Sequence, residues 1–157
     1  MLTVRSMCLS DIEDIYRIER AAHLVPWPKT VLQKCVLINY DCFVLEQTES
    51  KPAIVGYIIV HRIDILCHIL NVCIDKAYQH QGLGAFLLQH YLDSLKNTSI
   101  RYINLEVRPS NYPAIQMYQK FQFIQIDVKK DYYNEGIKED ALVFQKLINF
   151  EAIAYKI

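Results

Sequence analysis

Residues 79–84, with the sequence Gln-His-Gln-Gly-Leu-Gly, contain two of the four glycines of the chain. An apolar run over residues 69–74 precedes them, and apolar side chains at helical spacing follow from Leu87 to Leu95. The pattern predicts a buried strand, a glycine turn and a helix. Such a turn leaves backbone N–H groups uncovered at the positive end of the helix dipole, where a phosphate or pyrophosphate can bind.

The same six residues can also serve only as a tight turn, because glycine relieves steric restrictions where the chain reverses. They are not a Walker loop, since the Gly-Lys-Ser/Thr ending is missing. They also differ from the dinucleotide-binding fingerprint, which has three glycines, and the turn falls near the middle of the chain. The hexapeptide alone therefore leaves both interpretations open.

Composition narrows the class of protein. The chain has 157 residues, which predicts a single domain over residues 1–157, and its 17 basic and 17 acidic residues cancel. A net charge of zero argues against a broad surface for nucleic acid or membranes. No apolar run approaches a membrane span, and the N-terminus has no secretory h-region. The five cysteines lack CxxC spacing, so we expect no metal site, no disulfide framework and a cytoplasmic location.

Hydrophobic periodicity predicts a mixed α/β chain of the α+β class, in the order β-α-α-β-β-β-α-β-α-β-β. Parallel pairing is expected around the glycine turn and antiparallel hairpins on the flanks. Predicted strands cover residues 2–8, 41–47, 53–63, 66–74, 101–107, 123–128 and 141–147. The first helix is expected to follow a capping box with Ser10 as N-cap and Glu13 reaching back. The others are expected over residues 29–38, from the glycine turn to about residue 97, and after the N-cap Asn111.

The hexapeptide matches Q/R-x-x-G-x-G/A, the signature of the GCN5-related N-acetyltransferase (GNAT) family. Further segments match this family at the correct mutual spacing. They are residues 22–23, 26–27, 71–75, 105–111, 114–115, 118 and 123. The chain thus resembles this family from about Val4 to Leu147, and in particular the members that acetylate the N-terminal alanine of a small-subunit ribosomal protein. The resemblance implies a mixed, mostly antiparallel sheet with a splay between its two central parallel strands, flanked by about four helices.

The resemblance also implies acetyl-CoA as co-substrate, lying in the splay between strands 66–74 and 101–107. Its pyrophosphate would bind the backbone amides of His80, Gln81, Gly82, Leu83, Gly84 and Ala85. Its pantetheine arm would pair like an added strand with the main chain of Val72, Cys73 and Ile74. The amide of Cys73 or Ile74 could donate to the thioester oxygen and stabilise the oxyanion that forms during attack. Asn111 would also touch the cofactor.

Two side chains are candidates for proton transfer. Glu106 would act as general base, directly or through a water, because the attacking amine must be neutral. Strand alternation places Glu106 opposite the apolar face of its strand, where a glutamate is otherwise a solvated charge or a salt-bridge partner. Tyr118 would act as general acid for the departing thiolate, whereas an isolated tyrosine on an amphipathic helix is usually a core aromatic. Cys73 is expected to be a packed thiol, and the transfer to be direct.

The implied acceptor is the N-terminal segment of a ribosomal protein, bound by a monomer without nucleic acid or membrane. Two alternatives are another amine (lysine, a polyamine or an antibiotic) and a non-catalytic sensor of acyl-CoA. Trp27 could line the peptide groove or belong to the core. Four residues resemble the acceptor-side loop of the family, although a polar turn between strands would look similar. They are Tyr132, Tyr133, Glu139 and Asp140.

The sequence departs from the family pattern at two positions. Gln122 stands where many members have glycine, which leaves the turn after the last helix in question. Ala85 replaces a common basic residue, and one lost charge could weaken cofactor binding. Residues 149–157 extend past the matched region and have no assigned role.

Overall fold

The computed structural model of the protein describes residues 1–149, so the predicted extension lies, apart from Asn149, outside the described residues. Its strands are β1 (Leu2–Ser6), β2 (Asp41–Gln47), β3 (Ala53–Ile63), β4 (Leu66–Ile74), β5 (Tyr102–Val107), β6 (Ile124–Tyr133) and β7 (Glu139–Leu147). Its helices are α1 (Ile12–Ala22), α2 (Lys29–Leu37), α3 (Leu83–Ser94) and α4 (Tyr112–Lys120). Short 3₁₀ turns precede α1 and α3. The predicted order of strands and helices is confirmed.

The seven strands form one sheet in the order β1-β2-β3-β4-β5-β7-β6. Within residues 1–149, only β4 and β5 are parallel and every other pair is antiparallel, as the sequence predicted. The parallel pairing runs from Leu66 opposite Tyr102 to Ile69 opposite Leu105, where it stops. Beyond that point β4 follows β3 and β5 follows β7. The expected splay between the central strands is therefore present.

A β-bulge accounts for the position of the splay. Ile69 pairs with Val60 and Asn71 pairs with Ile59, so Leu70 is an extra residue on β4. A bulge bends its strand and increases the local twist. Because Leu70 follows the last residue of β4 that pairs with β5, the bend turns β4 away from its parallel neighbour at this point.

Helices cover both faces of the sheet and bury two separate cores. Leu87, Leu88 and Tyr91 of α3 pack with Ile103 and Leu105 of β5 on one face. The other face is covered by α1 and α2, where the most deeply buried members are Ile15, Ile18, Leu32, Val44, Tyr57 and Ile59. Each fully buried leucine or isoleucine contributes about 1.5–3 kcal/mol. Since side chains alternate along β5, Glu106 points away from the α3–α4 core, as predicted.

The predicted capping box at Ser10 and Glu13 is wrong. A 3₁₀ turn over Leu9–Asp11 intervenes, and α1 begins only at Ile12. The Cys8 N–H donates to the carboxylate of Asp11 at 2.8 Å, and Arg5 binds the same carboxylate. Asp11 is 6% exposed, and its carboxylate takes the position at the helix start that the sequence assigned to the Ser10 cap.

The bounds of several elements differ from the prediction, most of all those of β6. Strand β6 extends to Tyr133 as an edge strand, exposed on both faces and interrupted by bulges, so its charged residues showed no alternation. Gln122 adopts a left-handed conformation with φ 65°, and the turn after α4 is retained without glycine. The N–H of Phe123 closes that turn on the carbonyl of Tyr118 at 3.0 Å. No helix within residues 1–149 is long and apolar enough to cross a membrane.

Candidate active site

The splay exposes one backbone edge of β4 from the bulge to Ile74. Val72, Cys73 and Ile74 pair with β3 along their other edge, so their register is fixed. The side chain of Gln79 donates to the Ile74 carbonyl at 3.0 Å and joins the glycine turn to the end of β4. An open strand edge of this kind can accept an extended ligand through main-chain hydrogen bonds.

The glycine turn lies at the end of this edge and leads into α3. His80 and Gly82 both have left-handed conformations, with φ of 60° and 77°. The first intrahelical bond runs from the Phe86 N–H to the Gly82 carbonyl at 3.0 Å. The amides of Leu83, Gly84 and Ala85 therefore have no intrahelical acceptor. A Cβ placed on Gly82 would meet no atom within 4 Å, so the space beside this residue is open. Free amides at a helix N-terminus can bind a phosphate or pyrophosphate.

Gly84 serves a different purpose in the same turn. A Cβ there would lie 3.3 Å from the Met117 sulfur and 3.8 Å from a side-chain carbon of Ile74. The missing side chain allows α3 to approach both α4 and β4. Asn111 caps α4, since its side-chain oxygen accepts from the Ala114 N–H at 3.4 Å, as the sequence predicted.

Tyr118 lies on α4 within the α3–α4 core and is 7% exposed. Its ring packs against Phe123 with 5.5 Å between centroids, and burial raises the pKa of its hydroxyl. The described residues provide no hydrogen-bond partner for this hydroxyl, and they contain no fully buried side-chain oxygen that lacks one. The raised pKa keeps the hydroxyl protonated at neutral pH, and a protonated phenol can donate to a nearby anion.

Glu106 lies on the opposite face of β5 and has two partners. Its Oε2 contacts the Nε2 of His68 on β4, and its Oε1 accepts from the Nζ of Lys129 on β6 at 2.6 Å. Burial raises the pKa of Glu106, but the hydrogen bonds from His68 and Lys129 outweigh it and lower the pKa to about 2. Glu106 is thus ionised at neutral pH and is a weak base by itself. Glu106 and Tyr118 approach the splay from opposite faces of the sheet.

A buried carboxylate that the sequence reading missed lies behind β4. Glu19 of α1 is 1% exposed. It accepts hydrogen bonds from the Tyr57 hydroxyl, from the Asn71 amide at 3.0 Å and from the Trp27 N–H at 2.9 Å. These contacts join α1 to β3, β4 and the α1–α2 loop. The sequence signal that could have identified Glu19 is its position beside Ile15 and Ile18 on the apolar face of α1, where a charged residue requires partners.

This cluster also contains potential metal ligands. Atoms of Glu19, His23 and Cys73 lie within 4.8 Å of one another. The carboxylate of Glu19 already accepts several hydrogen bonds, and burial raises the pKa of the Cys73 thiol to about 12. Cys73 therefore carries a proton at neutral pH, in agreement with a packed thiol.

The loops that are predicted to lie on the acceptor side contact one another. A Cβ on Gly136, in the β6–β7 loop, would lie 3.2 Å from a methyl group of Val25 in the α1–α2 loop. Glu139 accepts from the Ser110 hydroxyl at 2.9 Å and from Arg108 at 3.2 Å, so it holds the β5–α4 loop. The Arg108 guanidinium lies 4.0 Å from the ring centroid of Tyr133.

The remaining residues of the predicted acceptor loop are held by contacts with other residues of the protein. Asp140 accepts from the backbone N–H of Asp131 at 2.9 Å. The Tyr132 ring packs edge-on against Tyr133 with 5.0 Å between centroids, and burial raises the pKa of Tyr133 to about 12. Trp27 is partly buried against the α1–α2 core.

A sheet that opens between two parallel strands beside a glycine turn defines the class of N-acetyltransferases to which the sequence pointed. The profile of the Acetyltransferase (GNAT) family matches residues 12–123. The chain belongs to this family, and the resemblance carried by the glycine-turn signature is confirmed.

Relatives of known name agree with this assignment. The chain is 32% identical over 145 residues to the ribosomal protein bS18-alanine N-acetyltransferase of Escherichia coli K12, covering 91% of this chain and 95% of the relative. The crystal structure of the ribosomal-protein-S18-alanine N-acetyltransferase from Escherichia coli superposes with a TM-score of 0.89 at 29% identity, over the full length of both chains. A GNAT acetyltransferase from Elizabethkingia anophelis with acetyl-CoA bound shares the fold, with a TM-score of 0.76 at 18% identity over 94% of this chain and 98% of that one.

Proposed function

We propose that this protein transfers the acetyl group of acetyl-CoA to the α-amine of an N-terminal alanine. The acceptor is the N-terminal segment of a small-subunit ribosomal protein. The observation that carries the proposal is the splay itself, an open strand edge with a glycine turn at its end and one proton-handling side chain on each face. The choice of acceptor rests on the similarity to the Escherichia coli enzyme over nearly the whole chain.

Acetyl-CoA binds in the splay in this proposal. Its pyrophosphate accepts from the amides of residues 80–85 at the start of α3. Its pantetheine arm pairs with the open edge of Val72, Cys73 and Ile74, and Asn111 contacts it from the start of α4. No metal takes part.

The acceptor amine attacks the thioester carbon directly. A C–N bond forms, and the amide of Cys73 or Ile74 stabilises the negative charge on the thioester oxygen. When the C–S bond breaks, Tyr118 donates its proton to the CoA thiolate and later regains one from solvent. The proton that leaves the amine is taken up on the other face of the sheet, at the site formed by Glu106 and the groups that contact it. The acid and the base are thereby kept apart, which suits reactants that enter from opposite sides.

The enzyme acts as a monomer in the cytoplasm, without nucleic acid or membrane. The equal numbers of acidic and basic residues support the absence of a nucleic-acid partner, because no excess charge favours a polyanion.

Steady-state acetyl transfer to a short peptide beginning with alanine tests the proposal. Glu106→Gln and Tyr118→Phe are each expected to lower kcat by about 100-fold, with acetyl-CoA binding retained. Tyr112→Phe is the matched control, since Tyr112 lies on the same helix and is 71% exposed, and its activity should equal that of the wild type.

The acceptor panel decides between this function and the two alternatives. Transfer to lysine, spermidine or an aminoglycoside, but not to the peptide α-amine, would replace the proposed acceptor. Binding of acetyl-CoA without transfer to any of these amines would indicate a sensor.

A further inference from the structure

His68, Glu106 and Lys129 form a cluster on the α1–α2 face of the sheet, at the point where β4 and β5 separate. His68 belongs to the last paired stretch of β4, and Glu106 is the first residue of β5 beyond it. Both carboxylate oxygens of Glu106 are occupied, one by the His68 ring and one by Lys129. The carboxylate is 10% exposed and the imidazole 28% exposed, so solvent reaches the imidazole more readily.

The contact between His68 and Glu106 determines where the proton of the imidazole lies. An ionised carboxylate only accepts hydrogen bonds, so Nε2 of His68 carries the hydrogen. In the neutral ring the other nitrogen, Nδ1, then has a free lone pair. Within residues 1–149 the structure provides no hydrogen-bond partner for Nδ1. Lys129 contributes by holding Glu106 in its ionised form, and an ionised carboxylate stabilises an imidazolium beside it.

We propose that His68 is the proton acceptor of the reaction and that Glu106 orients it, as a carboxylate orients the histidine of a catalytic triad. The inference rests on the proposed function and specifies its base. The proton leaving the acceptor nitrogen passes to Nδ1 of His68, directly or through one water, as the C–N bond forms. The imidazolium is stabilised by Glu106 and then releases its proton to solvent. The thiolate receives its proton separately, from Tyr118, so each proton is accounted for.

Neighbouring strands bring further titratable groups to this cluster. Lys129 lies 5.2 Å from the ring centroid of Tyr132 on β6, and Tyr133 packs against that ring. His61 of β3 lies directly opposite His68 in the register, and its ring stacks on Tyr40 with 4.3 Å between centroids. Asn104 of β5 is uncharged and accepts from Gln145 at 2.9 Å. His61→Gln therefore serves as a near control that removes an imidazole from the same face without removing the partner of Glu106.

The test uses His68→Gln and His68→Ala, assayed with acetyl-CoA and the alanine peptide beside the wild type. We expect kcat to fall about 100-fold in both variants, while the acceptor KM and the acetyl-CoA Kd stay within threefold. Added imidazole should restore at least tenfold of the lost kcat in His68→Ala, because it can occupy the vacated site beside Glu106. It should not do so in His68→Gln, where the site is filled. A purely structural role would not respond to imidazole.

The controls are His61→Gln and His90→Gln, the latter an exposed residue of α3, and both should keep kcat within threefold of the wild type. A kcat of His68→Gln within threefold of the wild type would overturn the inference, as would a loss in His68→Ala that imidazole does not repair. Failure of the wild type to acetylate the peptide is a separate result, which refutes the proposed function before any variant is compared.

Discussion

Substituting Glu19 by alanine tests whether the buried carboxylate behind β4 holds the site together. The change removes the acceptor of the Tyr57 hydroxyl, the Asn71 amide and the Trp27 N–H. Tyr57 is 0% exposed, so its hydroxyl would have no replacement partner except an intruding water. Each buried donor without a partner costs about 1–3 kcal/mol. Because Asn71 and Trp27 are only half-buried, we expect Glu19→Ala to lower the free energy of unfolding by about 3–5 kcal/mol, the lower part of the range for three donors.

Urea denaturation measures this change, and a thermal scan should show Tm lower by roughly 6–20 °C for a domain of this size. Glu13→Ala is the matched control on the same helix, since the Glu13 side chain is 79% exposed and its ion pair with Lys29 contributes about 0–1 kcal/mol. Tyr57→Phe should cost about 1–2 kcal/mol in the wild type. In the Glu19→Ala background it should be nearly neutral, because the hydroxyl has already lost its acceptor.

A decrease below about 1 kcal/mol for Glu19→Ala would refute this reasoning, because it would mean that the three donors find other partners at little cost. Additive effects of Glu19→Ala and Tyr57→Phe would contradict the direct hydrogen bond between the two side chains.

Three further predictions concern the turns and the ion pairs. Gln122→Gly should raise the free energy of unfolding by about 0.5–1 kcal/mol in urea, because φ 65° is strained for glutamine, whereas Gln122→Ala should not stabilise. Gly82→Ala should raise the acetyl-CoA Kd about tenfold by calorimetry, since φ 77° disfavours alanine, while an unchanged Kd would contradict the assigned role of the turn. The pKa values of Asp11 and Glu106 are both lowered to about 2 in the folded protein, whereas their values in the unfolded chain lie near 4. The two carboxylates therefore stabilise the fold above about pH 5, and this contribution is lost as the pH falls toward 2. Urea midpoints measured from pH 7 to pH 2 should show this loss, and an Asp11→Asn, Glu106→Gln double variant should have a smaller slope than the wild type.

Much of the fold could be predicted because its central strands carry strong local signals. Strands β2, β3 and β4 have the predicted bounds, since each is an apolar run that ends at polar turn residues. The glycine turn and the Asn111 cap could also be predicted, because each depends on the residue types of a short local segment. Strand β6 was underestimated because both of its faces are exposed, and an edge strand without a buried face shows no alternation.

The contacts of the site depend on long-range pairing that local patterns do not contain. His68 and Glu106 are 38 residues apart, and Lys129 lies 23 residues further along. Their meeting depends on the bulge at Leu70 and on β7 lying between β5 and β6 in the sheet. The sequence could name Glu106 as a candidate, but it could not show that two partners hold its carboxylate in the ionised form.

Tandem mass spectrometry of one acetylated peptide tests the central claim most directly. The peptide begins with alanine, contains one internal lysine, and is incubated with acetyl-CoA and the wild-type protein. The proposed function predicts a single acetyl group on the α-nitrogen of the alanine, formed about 100-fold more slowly when Tyr118 is replaced by phenylalanine. An acetyl group on the lysine side chain, or none on the peptide while acetyl-CoA binds, would contradict it.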